Sequence, residues 1–335
     1  MKAVGYQENL SIDHKNALVD IELPTPKAIG KDILVAVKAV SVNPVDYKVR
    51  LAVKSEPEEW KVLGWDAAGI VAEVGNDVVD FKVGDSVYYA GDITRSGSNA
   101  QYHLVDERIV GHMPKSLSFA EAAALPLTSL TAWELLFDRM EIDTKNANKS
   151  ILVIGAAGGV GSVLVQLLKQ KTQLTVVGTA SRSETATWLQ NLGVDYVINH
   201  KNKLSDEYDK LALAAPDYVV SLNATEHHFD EIVKIIKPQG KFGLIDDPSQ
   251  FNIMPLKSKA VATYFEFMFT RSMFQTADIR KQQEILNQIA YLIDEKVIKT
   301  TVGQHLGTLN SVNLKKAHAM LESGTSKGKI VLEVG

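Results

Sequence analysis

The sequence predicts an α/β protein: a doubly wound parallel sheet, preceded by a smaller barrel-like β domain. Three observations carry that expectation. The chain has 335 residues, which at roughly 150 residues per domain suggests two domains, each with its own core. Between Ile151 and about Asp246, β-like apolar runs alternate with amphipathic stretches, and parallel strands need such crossover helices. From Met1 to about Lys115 the texture differs, with short apolar runs punctuated by Gly, Pro, Asn and Asp.

In the first region the strand candidates are residues 33–37, 69–75 and 85–89. From Phe119 the pattern turns helical, at 120–124 and 130–137, with Pro126 breaking between them; a new domain is expected to start there. In the alternating region, strands are expected at 151–154, 174–179, 196–198, 218–222 and 242–245, and helices at 160–169, 184–192 and 229–236. Gly193 and Gly240 stand where helix C-caps or the following turns belong. Further on come an apolar run at 264–269, helical stretches at 278–295 and 312–321, and a terminal strand at 329–334. The chain shows no internal repeat and no low-complexity segment.

Composition removes several function classes. Lys and Arg number 36 against 40 Asp and Glu, a net charge of −4, so the basic surplus that nucleic-acid binding needs is missing. There are 0 cysteines, which eliminates disulfides, thiolate nucleophiles, iron–sulfur clusters and any zinc site built on Cys. The N-terminus reaches polar residues before an apolar signal core forms, so no secretory signal is expected. The longest apolar stretch, 151–168, is interrupted by Gly155, Gly158, Gly159 and Gly161 and lacks flanking charge anchors. No membrane partner and a cytoplasmic location are therefore expected.

The strongest chemical motif is Ile151-Leu152-Val153-Ile154-Gly155-Ala156-Ala157-Gly158-Gly159-Val160-Gly161, a buried-strand pattern running into a glycine turn and an apolar helix. It fits GxGxxG with Ala156 at the first glycine, Gly158 at the second and Gly161 at the third. The second position lets backbone approach a pyrophosphate, and the third lets helix and strand pack closely. Free N–H groups and the helix dipole then favour the phosphates. Ala157, Gly158, Gly159, Val160 and Gly161 are accordingly assigned to cofactor binding. The next strand ends in Thr179-Ala180-Ser181-Arg182-Ser183, where an NAD-binding protein places an acid for the ribose hydroxyl. A hydroxyl and a guanidinium suit a 2′-phosphate instead, so Ser181 and Arg182 point to NADPH. Arg182 also reads as a solvated residue at a helix start.

With those residues in view, the chain resembles the medium-chain dehydrogenase/reductase superfamily, and most closely its quinone oxidoreductase-like branch, including bacterial proteins labelled zinc-type alcohol dehydrogenase-like. The matching landmarks are Asn43-Pro44-Val45-Asp46-Tyr47-Lys48-Val49-Arg50, Gly64-Trp65-Asp66-Ala67-Ala68-Gly69, Phe81-Lys82-Val83-Gly84-Asp85, residues 125–133 and 156–161, and Gly328-Lys329-Ile330-Val331-Leu332. The resemblance implies a GroES-like β-barrel catalytic domain built from both chain ends, a Rossmann domain between them, an active site in the cleft, NADPH and a homodimer. The expected boundaries are 1–118 and 271–335 for the GroES-like domain and 119–270 for the Rossmann domain.

Zinc alcohol dehydrogenases of that superfamily hold their catalytic metal with a Cys, a His-Glu pair and a further Cys. The corresponding positions here read Asn43, Trp65-Asp66 and Leu127, and the stretch matching the structural zinc loop, 90–101, has no cysteine. Both zinc sites are expected to be absent. A cysteine-free site from Asp46, Asp66 and His103 is chemically conceivable, but no HExxH-like spacing holds those residues together. His227 and His228 sit at an expected helix start, and His14, His112, His305 and His318 have no partners legible in sequence. His200 follows the third Rossmann strand, where the resemblance places an aromatic or basic residue near the 2′-phosphate; it also reads as a surface residue before Lys201.

Without a metal to acidify an alcohol, reduction of a quinone or an α,β-unsaturated carbonyl is the expected reaction, since the growing negative charge needs only hydrogen-bond donors. Tyr47 is the expected donor, Asn43 holds the nicotinamide end or the substrate oxygen, and Thr131 contacts the nicotinamide half. Trp65 forms an aromatic wall with Phe267 opposite. Core packing for Trp65 and Phe267, and satisfied strand-end roles for Asn43 and Tyr47, stand beside those assignments. Asp46 and Asp66 orient loops. Two other function classes stay open: an NADPH-binding sensor without turnover, and a zinc-dependent alcohol dehydrogenase.

Overall fold

The computed structural model describes residues 1–335 apart from Pro57, Asn146 and Thr325. In chain order its strands are β1 Lys2–Tyr6, β2 Val19–Glu22, β3 Asp32–Val42, β4 Lys61–Val62, β5 Ala67–Val74, β6 Ser86–Tyr89, β7 Tyr102–Asp106, β8 Val110–His112, β9 Ser150–Ile154, β10 Thr175–Thr179, β11 Tyr196–Ile198, β12 Tyr218–Ser221, β13 Lys241–Leu244, β14 Ala262–Phe265, β15 Val302–Thr308 and β16 Lys329–Glu333. The helices are α1 Pro44–Ala52, α2 Phe119–Ala123, α3 Pro126–Trp133, α4 Gly159–Lys171, α5 Ser183–Asn191, α6 Leu204–Asp209, α7 Thr225–Ile235, α8 Thr270–Met273, α9 Lys281–Asp294 and α10 Ser311–Glu322. They form two compact units, residues 1–130 with 269–335, and residues 131–268.

The first unit holds a sheet in the order β15-β16-β3-β5-β6-β8 and a three-stranded sheet β2-β1-β4. Its organising element is β3. Eleven residues long, β3 pairs antiparallel with β5 along one edge and shares the other between β7, opposite Asp32 to Ala36, and β16, opposite Ala39 to Val42. The C-terminal strand is thereby built into the N-terminal sheet. Ile33, Val35, Ala39, Val40, Val331 and Leu332 are all fully buried there. Transfer of that much apolar surface out of water, at about 25 cal/mol per Å², ties the two chain ends together.

The second unit is a six-stranded parallel sheet in the order β11-β10-β9-β12-β13-β14. β9 is central, and all five of its residues are buried. A strand covered on both faces reads as a continuous apolar run, which is why 151–154 stood out in the sequence. Chain order along the sheet reverses between β9 and β12, the place where open α/β sheets bind ligands beyond the carboxyl ends of their strands.

The unit boundaries differ from the expected 118/119 and 270/271, falling at 130/131 and 268/269. The cause is α2. Ser118 caps it, with Ser118 Oγ accepting from Glu121 N (3.3 Å) and Glu121 Oε2 accepting from Ser118 N (2.9 Å), and its buried Ala120, Ala122 and Ala123 pack on β3, β5 and β16 of the first unit. Helical texture marked a change of secondary structure there, whereas the change of core comes later. Pro126, read as a breaker, is also the first residue of α3, where its missing N–H costs nothing. The run expected as one helix to residue 137 ends at Trp133 and passes into a π turn, Glu134–Arg139, whose buried Glu134 meets Arg139 (3.3 Å).

Candidate active site

The glycine loop joins β9 to α4. Gly155 carries the left-handed backbone of the turn (φ +78°), so the first-glycine task falls on Gly155 and not on Ala156, which is buried beneath it. Gly158 is the N-cap of α4. At Gly161 a Cβ would lie 2.4 Å from Ala156 O, so only glycine allows α4 this close to the turn. Ala157, Gly158, Gly159 and Val160 are partly exposed, and the first N–H groups of α4 lie among them. This is a cradle suited to a pyrophosphate.

Beside the loop, Thr179 ends β10. Its Oγ1 accepts from Gly155 N (3.2 Å) and contacts His200 Nδ1 (3.3 Å), joining the ends of β9, β10 and β11. Ser181 is half-buried, and Arg182, exposed, is the N-cap residue of α5. His200 is half-buried, and burial, then Lys201, Arg182 and His227, hold its imidazole below the usual range. The structure adds His227 and His228, from the first turn of α7. The His228 ring lies 6.2 Å from that of His200 and 4.8 Å from that of His227. Burial, followed by the neighbouring imidazoles of His227 and His200, pushes His228 down to about 4. The His227-His228 pair was visible at a helix start, but no local pattern reports that α7 begins next to the end of β11. Thr131 is buried at the start of this unit, and Phe267, after β14, is 47% exposed.

In the first unit the landmark residues meet in a buried cluster. Asn43, the N-cap of α1, donates Nδ2–H to Asp66 Oδ2 (2.8 Å) and accepts from Lys329 Nζ at Oδ1. Lys329 also donates to Asp66 Oδ2 (2.8 Å) and Val42 O (3.3 Å), and Leu127 N donates to Asp66 Oδ1 (2.8 Å). Asp46 Oδ2 accepts from Asn43 N (2.6 Å). Asn43, Asp46, Asp66 and Lys329 are each at most 3% exposed. Burial raises both carboxyls: Asp46 to about 7, and Asp66 against the opposing pull of Lys329 and its donors.

The Asn43 amide, expected to hold the nicotinamide end or the substrate oxygen, bonds Asp66 and Lys329. Trp65, expected as an aromatic wall, is 1% exposed, donates Nε1–H to Asp92 O (3.3 Å) and meets Phe269 edge-on (6.0 Å, 73°): it is a core residue. Tyr47, four residues into α1, is half-buried, and among the described residues nothing bonds its hydroxyl. His103, weighed as a metal ligand with Asp46 and Asp66, has both ring nitrogens engaged, Nδ1 with Tyr89 Oη (3.0 Å) and Nε2 with Ser96 O (2.8 Å). Among the described residues, no group of three or more His, Asp or Glu side chains is placed to hold a metal ion, and no helix is long and apolar enough to cross a membrane.

Two family models match the chain: the alcohol dehydrogenase GroES-like domain over residues 30–132, and a zinc-binding dehydrogenase domain over residues 192–332. A zinc-type alcohol dehydrogenase-like protein of Staphylococcus epidermidis is 37% identical over 339 aligned positions, covering 100% of both chains. A 2-methylene-furan-3-one reductase of Solanum lycopersicum is 31% identical, covering 99% of this chain and 79% of its own. A crystal structure from Rhizobium etli CFN 42, assigned as a zinc-dependent alcohol dehydrogenase protein, superposes with a TM-score of 0.95 at 53% identity, covering 99% and 98% of the two chains. With a GroES-like unit, a six-stranded parallel dinucleotide-type unit and full-length relatives, the chain is an oxidoreductase of the medium-chain dehydrogenase/reductase superfamily.

Proposed function

We propose that this oxidoreductase transfers hydride from NADPH to a quinone or an α,β-unsaturated carbonyl, without zinc, in the cytoplasm. The observation that carries the reading is the lysine in the landmark cluster. Asn43 and Asp66 stand where the superfamily's zinc enzymes place ligands, and here both face the ammonium of Lys329. A fixed organic cation balances Asp66 there, and Trp65 and Leu127 supply no metal-ligating atom.

The residues fit the cofactor. The cradle of Ala157, Gly158, Gly159, Val160 and Gly161 would hold the pyrophosphate, Ser181, Arg182 and His200 the 2′-phosphate, and Thr131 the nicotinamide half. Bound there, NADPH supplies the hydride. The chain's own contribution is orientation and one proton-bearing group. Tyr47 keeps an uncommitted phenol that donates to the oxygen on which negative charge grows. Asn43 acts as a positioning residue: as N-cap of α1 it sets the start of the helix that carries Tyr47. Phe267 retains apolar surface for a conjugated acceptor, and Trp65 packs behind the landmark loop. The enone reductase among the relatives supports that acceptor class. A homodimer belongs to the same reading, supported by β14, an edge strand that ends in the 62%-exposed Phe265.

NADPH oxidation against a panel of quinones and enones tests the reading. Saturable turnover with the zinc content at zero and activity kept in chelator supports it. One zinc per chain, with activity lost on chelation and restored by metal, establishes the alcohol dehydrogenase reading, and NADPH binding without turnover across the panel establishes the sensor. Tyr47→Phe is expected to lower turnover about 100-fold, since one well-placed donor to a developing oxyanion is worth about 3 kcal/mol, with NADPH affinity unchanged. Unchanged turnover assigns Tyr47 to packing.

A further inference from the structure

Three imidazoles converge at the carboxyl end of the parallel sheet from two separate segments. His200 follows β11, its Nδ1 on Thr179 Oγ1 (3.3 Å). His228 stands with its ring 6.2 Å from that of His200, and His227 stands 4.8 Å from His228. The titratable and charged groups facing His200 are Lys201, Arg182 and His227; those facing His228 are His227, His200 and, with the opposite effect, Asp246. Asp246 is anchored by Thr225, whose N–H (2.8 Å) and hydroxyl both donate to it. Glu226 beside His227 is turned to Ser249, accepting from its hydroxyl (3.0 Å). His228 is buried and His200 half-buried among these cations, which favours the neutral form of both in the absence of an anion.

We propose that this cluster is a proton-linked phosphate site: a phosphate monoester dianion bound beside Arg182 draws a proton onto His200 or His228, so that preference for the 2′-phosphorylated dinucleotide is itself set by pH. The inference rests on the 2′-phosphate reading and deepens it. Charge balance supports it. Arg182 and Lys201 carry two positive charges against one negative charge on Asp246, and a dianion would leave the site with a negative excess that one proton removes. Burial and the neighbouring cations keep His200 and His228 neutral without the ligand, and the dianion raises their proton affinity. The sign follows: NADPH binds tighter at low pH and loses up to about tenfold in affinity per pH unit as pH rises between the free and bound pKa values, if one proton is taken up.

Isothermal titration of the full chain with NADPH and with NADH tests this, between pH 6.5 and 8 in buffers of different ionisation enthalpy. In that range the phosphate, with its second pKa near about 6, is mostly dianionic. The expected result is uptake of about one proton with NADPH, none with NADH, and an NADPH-to-NADH affinity ratio that falls several-fold to about tenfold per pH unit. His200→Gln and His228→Gln should each shrink the uptake and flatten the ratio, with NADH affinity as the check on folding. His227→Gln, at an exposed position, should do so more weakly. A large ratio independent of pH, without proton uptake, overturns the proposal and leaves the 2′-phosphate reading standing. So does full uptake persisting in both the His200 and His228 variants. Equal affinity for the two cofactors at every pH overturns the 2′-phosphate reading and the proposal with it.

Discussion

In the first unit Asn43, Asp66 and Lys329 turn inward and bond one another, while at the carboxyl end of the second unit's sheet Ser181, Arg182, His200 and His227 keep exposed surface. Asp66 accepts from Leu127 N, Asn43 and Lys329, and the cluster is buried. Arg182, Ser181, His200 and His227 keep solvent-facing surface, and the partly exposed loop Ala157 to Val160 opens α4. The contrast separates two uses of charge. Buried ions are costly unless paired, so those in the first unit are structural commitments whose loss is felt as stability. Exposed cations near backbone N–H groups cost little to keep and are felt as affinity.

The largest effect should come from breaking the buried pair. Lys329→Met leaves Asp66 without its cation and is expected to destabilise the chain by about 3 to 5 kcal/mol, read as a lowered urea midpoint. Adding Asp66→Asn should recover part of that loss, because the orphaned charge goes with it. A Lys329→Met protein of wild-type stability would dissolve the distinction drawn between the two regions.

Next in size is Arg182→Ala. One hydrogen bond to a charged partner contributes roughly 1.5 to 3 kcal/mol, so NADPH should bind about 10- to 100-fold more weakly, with NADH affinity and the urea midpoint unchanged. Rising salt should erode the same advantage, since the site is partly exposed. Loss of both cofactors together would move Arg182 into the structural class.

The smallest effect, taken per pH unit, concerns Asp46. Its pKa of about 7 in the folded chain lies above its ordinary value because burial disfavours the charge. The folded state therefore holds the proton more tightly than the unfolded state, and the stability this group contributes is complete at pH about 4 and drains away as pH rises to 7. The slope is at most about 1.4 kcal/mol per pH unit. Asp46→Asn should flatten stability across pH 5 to 7, and an unchanged slope would place the titration elsewhere.

Much of the second unit was legible in sequence because its signals are local. The alternation over 151–246, the glycine loop and the missing acid after β10 are each read within a few residues, and β9, α4, β10 and α5 lie within a residue or two of where the pattern put them. The site residues were less legible. Asn43 and Trp65 matched landmark motifs by residue type, yet type does not say which way a side chain turns, and burial decided that for both.

By itself the sequence determined the two-domain class, the parallel unit, the glycine turn between β9 and α4 and the lack of any thiolate chemistry, all consequences of local periodicity, backbone freedom and composition. Only the tertiary structure decided that β16 closes the sheet of β3, that Lys329 thereby reaches Asn43 and Asp66, and that His227 and His228 come to stand beside His200. Those meetings join residues far apart in the chain, and they follow from strand pairing and the burial of apolar surface over whole units, which no window of the sequence contains.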